Sequence, residues 1–189
     1  MTMKEIHGKQ NKREFIVMKD LKVLINEKEL MERVNELANQ IEKDYLDEEI
    51  ILICILKGAV YFTTDLSKRI NNNKVVLDFM KVSSYGSATE TSGKVDFQLD
   101  LSEDIKGRNV IIVEDILDSG VTLHYLINIL SKRNPKSIKI CTLLDKPERR
   151  RKQVKVDYVG FEIKDKFVVG YGMDYNEHYR NLPYIGYFE

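Results

Sequence analysis

The chain has 189 residues, 43% of them hydrophobic and 32% charged, so it has material for a real core and a length that favours one domain. Thirty basic residues balance thirty acidic ones, which leaves no net charge for holding nucleic acid or an anionic membrane surface. No apolar run approaches the roughly 18 residues of a spanning helix, and the N-terminus has no apolar block of signal-peptide type, so a cytoplasmic protein is expected.

Residues 1–14 are polar and non-periodic and read as a disordered arm. Asn26 caps a helix: Glu29 stands three residues on, and Leu30, Val34, Leu37, Ile41 and Tyr45 form one stripe. The apolar run between Glu49 and Lys57 has strand length and meets Gly58 at once; an amphipathic helix is expected from Ala59 to Ile70. Val75 to Val82 reads as a strand, Ser83 to Val95 as a long loop of small polar residues, and Val95 to Leu101 as a possible returning strand. Arg108 to Asp115 is the clearest buried strand; a helix from Thr122 to about Arg133 follows, with Pro135 beyond it. Further strands are expected over Ser137–Asp145, residues 154–163, 167–172 and 184–188. Strands alternating with helices, the strands apolar throughout, predict an α/β fold with a mainly parallel central sheet flanked by helices. Cys54 and Cys141 both sit inside apolar runs and read as buried thiols.

The strongest chemical signal runs from Val110 to Thr122. Glu114 and Asp115 close an apolar strand, at the carboxyl end where α/β sheets bind ligands. Asp118, Ser119, Gly120, Val121 and Thr122 follow, at the start of a helix. Glycine lets the backbone turn tightly and approach an anion, while amides converging on a helix N-terminus form a phosphate cradle. One side of the loop therefore suits an anion, and the acidic pair suits hydroxyls or a cation. A sugar phosphate meets both demands. Two plainer readings compete: a receiver-type acidic metal site, or a turn with a helix cap.

These thirteen residues resemble the motif with which type I phosphoribosyltransferases bind phosphoribosyl pyrophosphate (PRPP), and they match it at every restricted position. Other segments resemble the hypoxanthine-guanine phosphoribosyltransferases in particular. Leu56-Lys57-Gly58 looks like that family's pyrophosphate loop, where the bond before the lysine is a cis peptide; Ser84-Tyr85-Gly86 looks like the tip of its mobile loop. Lys146, in Leu143 to Glu148, looks like the lysine that recognises the exocyclic oxygen of the base. Lys166 to Tyr184 looks like the family's base-binding segment, in which Phe167 stacks on the purine, Val168 offers backbone groups to its edge, Asp174 serves magnesium and Arg180 serves pyrophosphate.

The resemblance covers about residue 20 to the end and implies a type I phosphoribosyltransferase fold. It implies one domain over residues 15–189, with a small base-binding hood built from the chain termini. The implied activity is purine salvage: transfer of the 5-phosphoribosyl group from PRPP to hypoxanthine, and to guanine, with pyrophosphate released. Glu114, Asp115 and Asp174 would serve Mg2+, and Asp118 would exchange a proton with N7 of the base. The implied partners are these small molecules and further copies of the chain, as a homodimer or homotetramer. The alternative is a PRPP- or nucleotide-sensing regulator on the same fold that does not turn over. The basic run from Arg149 to Lys152 reads chiefly as a solvated face, with a pyrophosphate contact or RNA as the other readings.

Overall fold

The computed structural model describes residues 21–84 and 95–189; the expected N-terminal arm lies outside them. The element order is β1 (Leu21–Ile25), α1 (Glu27–Tyr45), β2 (Ile50–Ile55), α2 (Val60–Arg69), β3 (Val75–Ser84), β4 (Val95–Leu99), β5 (Asn109–Leu117), α3 (Val121–Ser131), β6 (Ser137–Asp145), β7 (Tyr158–Glu162), β8 (Val168–Val169) and β9 (Ile185–Phe188). A short 3₁₀ turn, Pro147–Arg149, follows β6.

Helix α1 starts where its chemistry says it should. The Asn26 side chain accepts from the Glu29 amide at 3.0 Å, and the Glu29 carboxylate accepts from the Asn26 amide at 3.1 Å. Leu30, Val34, Leu37, Ile41 and Tyr45 are all buried, as their spacing predicts.

Six strands form one sheet in the order β4-β3-β2-β5-β6-β7, parallel except for the antiparallel edge strand β4. Every residue of β2 is buried, as a central strand covered on both faces requires. Alternate residues serve opposite faces. Ile50, Leu52, Ile111, Val113, Cys141 and Leu143 pack with α1 and α2. Ile51, Ile53, Val110, Ile112 and Ile140 pack with Leu123, Leu126 and Leu130 of α3. The connection from β2 leads to β3 on one side and that from β5 leads to β6 on the other. The chain therefore reverses its strand order between β2 and β5, and a crevice opens beyond their carboxyl ends.

A second, three-stranded antiparallel sheet has the order β1-β9-β8. Strand β1 was not anticipated: only Ile25 of its five residues is buried, and its partner lies at the other end of the chain. Three expected strands are shorter than their apolar patterns. β7 spans only Tyr158–Glu162 within 154–163, β8 only two residues within 167–172, and β9 begins at Ile185. Strand β5, by contrast, runs on to Leu117, so Glu114 and Asp115 lie within the strand rather than at its end.

Candidate active site

The crevice between β2 and β5 holds a cavity of about 350 Å³ lined by Lys57, Gly58, Glu114, Asp115, Asp118, Ser119, Gly120, Thr122, Asp174 and Arg180, among others. These residues come from four separate stretches of chain, and all were singled out from the sequence. A neighbouring cavity of about 240 Å³ shares Asp115, Asp118 and Asp174 and adds Lys146, Phe167, Val168 and Met173. Val121 is the first residue of α3. Ser84 ends β3, and Tyr85 lies outside the described residues.

The loop from Asp118 to Gly120 is held from behind. Arg151 and Lys152 donate their amides to the Ser119 carbonyl at 2.9 and 3.0 Å, Lys146 donates to the Leu117 carbonyl at 3.0 Å, and the Arg150 guanidinium donates to the Asp118 carbonyl at 2.9 Å. With its carbonyls engaged outward, the loop turns its amide side toward the cavity. Gly120, at φ 76°, caps α3 in the left-handed region, and a Cβ there would collide with the Lys152 carbonyl. Arg150 is only 10% exposed and also pairs with Asp145, so the expectation of a solvated basic run fails for it. Proximity decides this: the run passes directly under the loop, so its first members become supports. Arg149 places Nε 2.9 Å from Asp118 Oδ1, a charge contact without hydrogen-bond alignment. No local pattern pairs Asp118 with this cation, 31 residues away along the chain.

Glu114 and Asp115 line the cavity and are half-buried. Burial first, and then the neighbouring Asp115 charge, push the Glu114 carboxyl well above the usual carboxylate range; burial likewise raises Asp115. Two adjacent carboxyls whose charge is disfavoured in this way attract a cation or hydrogen-bond donors, as the sequence suggested. Among the described residues no three His, Cys, Asp or Glu side chains converge as a closed cage. An all-oxygen donor set of this open kind fits a hard cation that keeps its waters and shares ligands with a phosphate substrate.

Backbone contact draws the remaining pieces together. The Leu56–Lys57 peptide is cis. A Cβ on Gly58 would strike the Asp115 carboxylate, and one on Gly172, at φ 103°, would strike the Gly58 carbonyl. Only glycines allow this stack, which seats the C-terminal segment on the Lys57 loop. Gly172 was not singled out; its signal is the pair of glycines in Val169-Gly-Tyr-Gly172. Arg180 donates to the Gly172 carbonyl at 2.7 Å and pairs with Asp174 at 2.8 Å, so two residues expected to serve different groups face each other. Glu177, also missed, pairs with Lys57 at 2.9 Å and lies 3.4 Å from Arg180; Lys57 holds its carboxyl below the usual range.

In the second cavity Lys146 is buried, an uncommon state for lysine, and its Nζ donates to the Lys166 carbonyl at 2.6 Å. Phe167 is 54% exposed, its ring roughly parallel to Phe188 (28°, centroids 6.5 Å apart), with Tyr175 meeting it edge-on at 5.7 Å. An aromatic face braced from behind and open in front is a platform for a flat ring. Phe188 had gone unremarked because its partners are remote in sequence.

A family profile described as a phosphoribosyl transferase domain matches residues 22–176. The hypoxanthine-guanine phosphoribosyltransferase of Bacillus subtilis is 52% identical over 165 residues, covering 87% of this chain and 91% of its own. The chain belongs to the hypoxanthine-guanine phosphoribosyltransferase family. A hypoxanthine phosphoribosyltransferase of Buchnera aphidicola is 52% identical over 168 residues, covering 88% of this chain and 94% of its own. Among solved structures, a hypoxanthine phosphoribosyltransferase of Staphylococcus aureus superposes with TM-score 0.88 at 44% identity, covering 94% of this chain and 96% of that one. A Bacillus anthracis hypoxanthine-guanine phosphoribosyltransferase gives TM-score 0.85 at 52% identity, covering 89% and 98%. These relatives bear the names of transferases, and the family fold is the type I phosphoribosyltransferase fold expected from the sequence. Among the described residues, no helix is long and apolar enough to cross a membrane.

Proposed function

We propose that this chain is a purine salvage transferase that moves the 5-phosphoribosyl group from PRPP to hypoxanthine, and to guanine, releasing pyrophosphate. The observation that carries the reading is the pair of adjoining cavities with Asp118 on their common wall. One offers amides, Lys57 and Arg180 to phosphates; the other offers an aromatic face and a buried ammonium to a ring bearing oxygen.

In the reaction, N9 of the base forms a bond to the anomeric carbon as the bond from that carbon to pyrophosphate breaks. Ser119, Gly120 and Thr122 hold the 5-phosphate through amides and hydroxyls. Glu114 and Asp115 accept from the ribose hydroxyls, and their negative charge offsets the positive charge that grows on the ribose. Lys57, the Gly58 amide and Arg180 receive the departing pyrophosphate. Asp118 takes the proton from N7 as N9 bonds. Lys146 donates to the exocyclic oxygen, Phe167 stacks on the ring and Val168 offers its backbone to the edge. Glu114, Asp115 and Asp174 would hold Mg2+, which would supply charge neutralisation for the pyrophosphate.

Residues 15–189 act as one domain, with the three-stranded sheet as its hood, and the protein works in the cytoplasm. It assembles as a homodimer or homotetramer, a reading supported by the exposed row of Leu77, Phe79 and Leu99 on one face of β3 and β4.

The experiment is pyrophosphate release with PRPP, Mg2+ and each base in turn. An ammonium has donors and no acceptor, so it suits the oxygen of hypoxanthine or guanine and rejects the amino group of adenine, by up to ~10⁴-fold. Lys146→Ala should raise KM for hypoxanthine strongly and leave KM for PRPP nearly unchanged. Comparable turnover of adenine and hypoxanthine by the wild type would overturn the role of Lys146.

A further inference from the structure

Four charged side chains of alternating sign link two residues that line the base cavity, Lys146 and Asp118. Lys146, at one end, is buried, with its side chain 8% exposed. One of its three hydrogens goes to the Lys166 carbonyl at 2.6 Å, and Asp165 Oδ1 stands at 3.5 Å. The other oxygen of Asp165 accepts from Arg149 Nη1 at 3.1 Å. The opposite edge of the same guanidinium brings Nε to 2.9 Å from Asp118 Oδ1.

Fold stability does not account for this array. Asp165 and Arg149 are 44% and 48% exposed, and ion pairs that open to water contribute little. What the array does is geometric. Asp118 Oδ1 is sealed beneath Arg149, so the 41% exposure of that side chain belongs to its remaining atoms, among them the oxygen left to meet a ligand. Lys146, meanwhile, has its ammonium fixed by an oxygen on either side, with one hydrogen left for the base. A single carboxylate thus touches the lysine directly and the aspartate through one rigid guanidinium.

We propose that Asp165 is a positioning residue that keeps Lys146 and, through Arg149, Asp118 in fixed register across the base. The inference rests on the roles given above to Lys146 and Asp118, and it adds two residues that touch neither substrate.

Steady-state kinetics on the full chain test it. Asp165→Asn should raise KM for hypoxanthine about tenfold and lower kcat about fivefold, with KM for PRPP within about twofold and Tm within about 2 °C. Arg149→Ala should lower kcat by about the same factor while KM for hypoxanthine stays within about twofold. Because Asp165 reaches Asp118 only through Arg149, the double variant should have the kcat of Arg149→Ala alone. Arg149→Lys should remain near Arg149→Ala, since a point charge cannot span both carboxylates. Multiplying kcat effects in the double variant, an unmoved KM in Asp165→Asn, or full activity of Arg149→Lys would each overturn the proposal. Should Asp165→Asn fail to fold, the two Arg149 variants decide. Lys146→Ala and Asp118→Ala serve as controls: if these leave hypoxanthine KM and kcat untouched, the parent reading fails, and if they behave as expected while Asp165→Asn is silent, only this proposal does.

Discussion

The six-stranded and three-stranded sheets both wall the active cavities, but they are built on opposite terms. The large sheet sets Glu114, Asp115 and the Asp118 loop on a strand whose residues from Asn109 to Val113 are all buried, between helices on both faces. The small sheet has a two-residue strand, β8, and an outer strand on which Val23 is 55% exposed. The segment it leads into carries non-glycine residues at positive φ: Tyr171, Asn176, Glu177 and Tyr179. Such conformations cost free energy and persist where their surroundings impose them. The difference teaches a division of labour. The carboxyls and the Asp118 loop are mounted on the stiff layer; the aromatic wall of Phe167 and Phe188 is mounted on the light one.

The largest effect that tests this division is on chemistry. Asp118→Ala should lower turnover about 10²- to 10⁴-fold, the range for a proton-transferring group. PRPP binding, followed by calorimetry, should survive, because the loop carbonyls remain held by Arg150, Arg151 and Lys152. Binding lost in step with turnover would make Asp118 a structural cap.

Next come two apolar truncations, one for each sheet. Leu126 is fully buried under the large sheet, and Leu126→Ala should cost about 2–5 kcal/mol. That corresponds to a fall in Tm of roughly 5–15 °C for a chain of this size. Phe167→Ala removes a half-exposed ring from the small sheet, so Tm should move by less than about 3 °C while KM for hypoxanthine rises. A comparable drop in Tm for both would erase the contrast.

The smallest effect concerns charge at the rim of the large sheet. Hydrogen bonds from Lys139 and then Tyr158 hold the Asp44 carboxyl below its ordinary value of 3.8. A depressed carboxyl stabilises the fold above that ordinary value, and the stabilisation is lost as pH falls through the folded-state value. With its side chain 46% exposed, the contribution is small. Asp44→Asn should therefore lower Tm by about 1–3 °C at pH 7, and the gap should narrow as pH falls below 3.8. A gap that persists in acid would assign the loss to packing instead.

Much of the large sheet was legible in the chain. Continuous apolar runs of strand length, a capping box and Gly120 before an apolar helix are local signals, written within a few residues of where they act. That Glu114, Asp115, Asp118, Ser119, Gly120 and Thr122 stand together at the crevice was legible for the same reason, and the resemblance of their segments to a family pointed to Lys57, Lys146, Phe167, Asp174 and Arg180 beside them. Strand β1 was not legible, because half its residues face water and its register is set by Leu21 meeting Phe188 across the whole length of the chain.

By itself, then, the sequence determined the order of strands and helices after β1 and the glycine, acidic and hydroxyl residues of the Asp118–Thr122 loop, because backbone geometry and side-chain chemistry act over one or two turns. Only the tertiary structure decided which charges neutralise which. Arg149 against Asp118, Arg150 beneath the loop, Arg180 facing Asp174 and Gly172 seated on Gly58 all join stretches that only folding brings together. Such pairings depend on distance through space, and no local pattern along the chain encodes that distance.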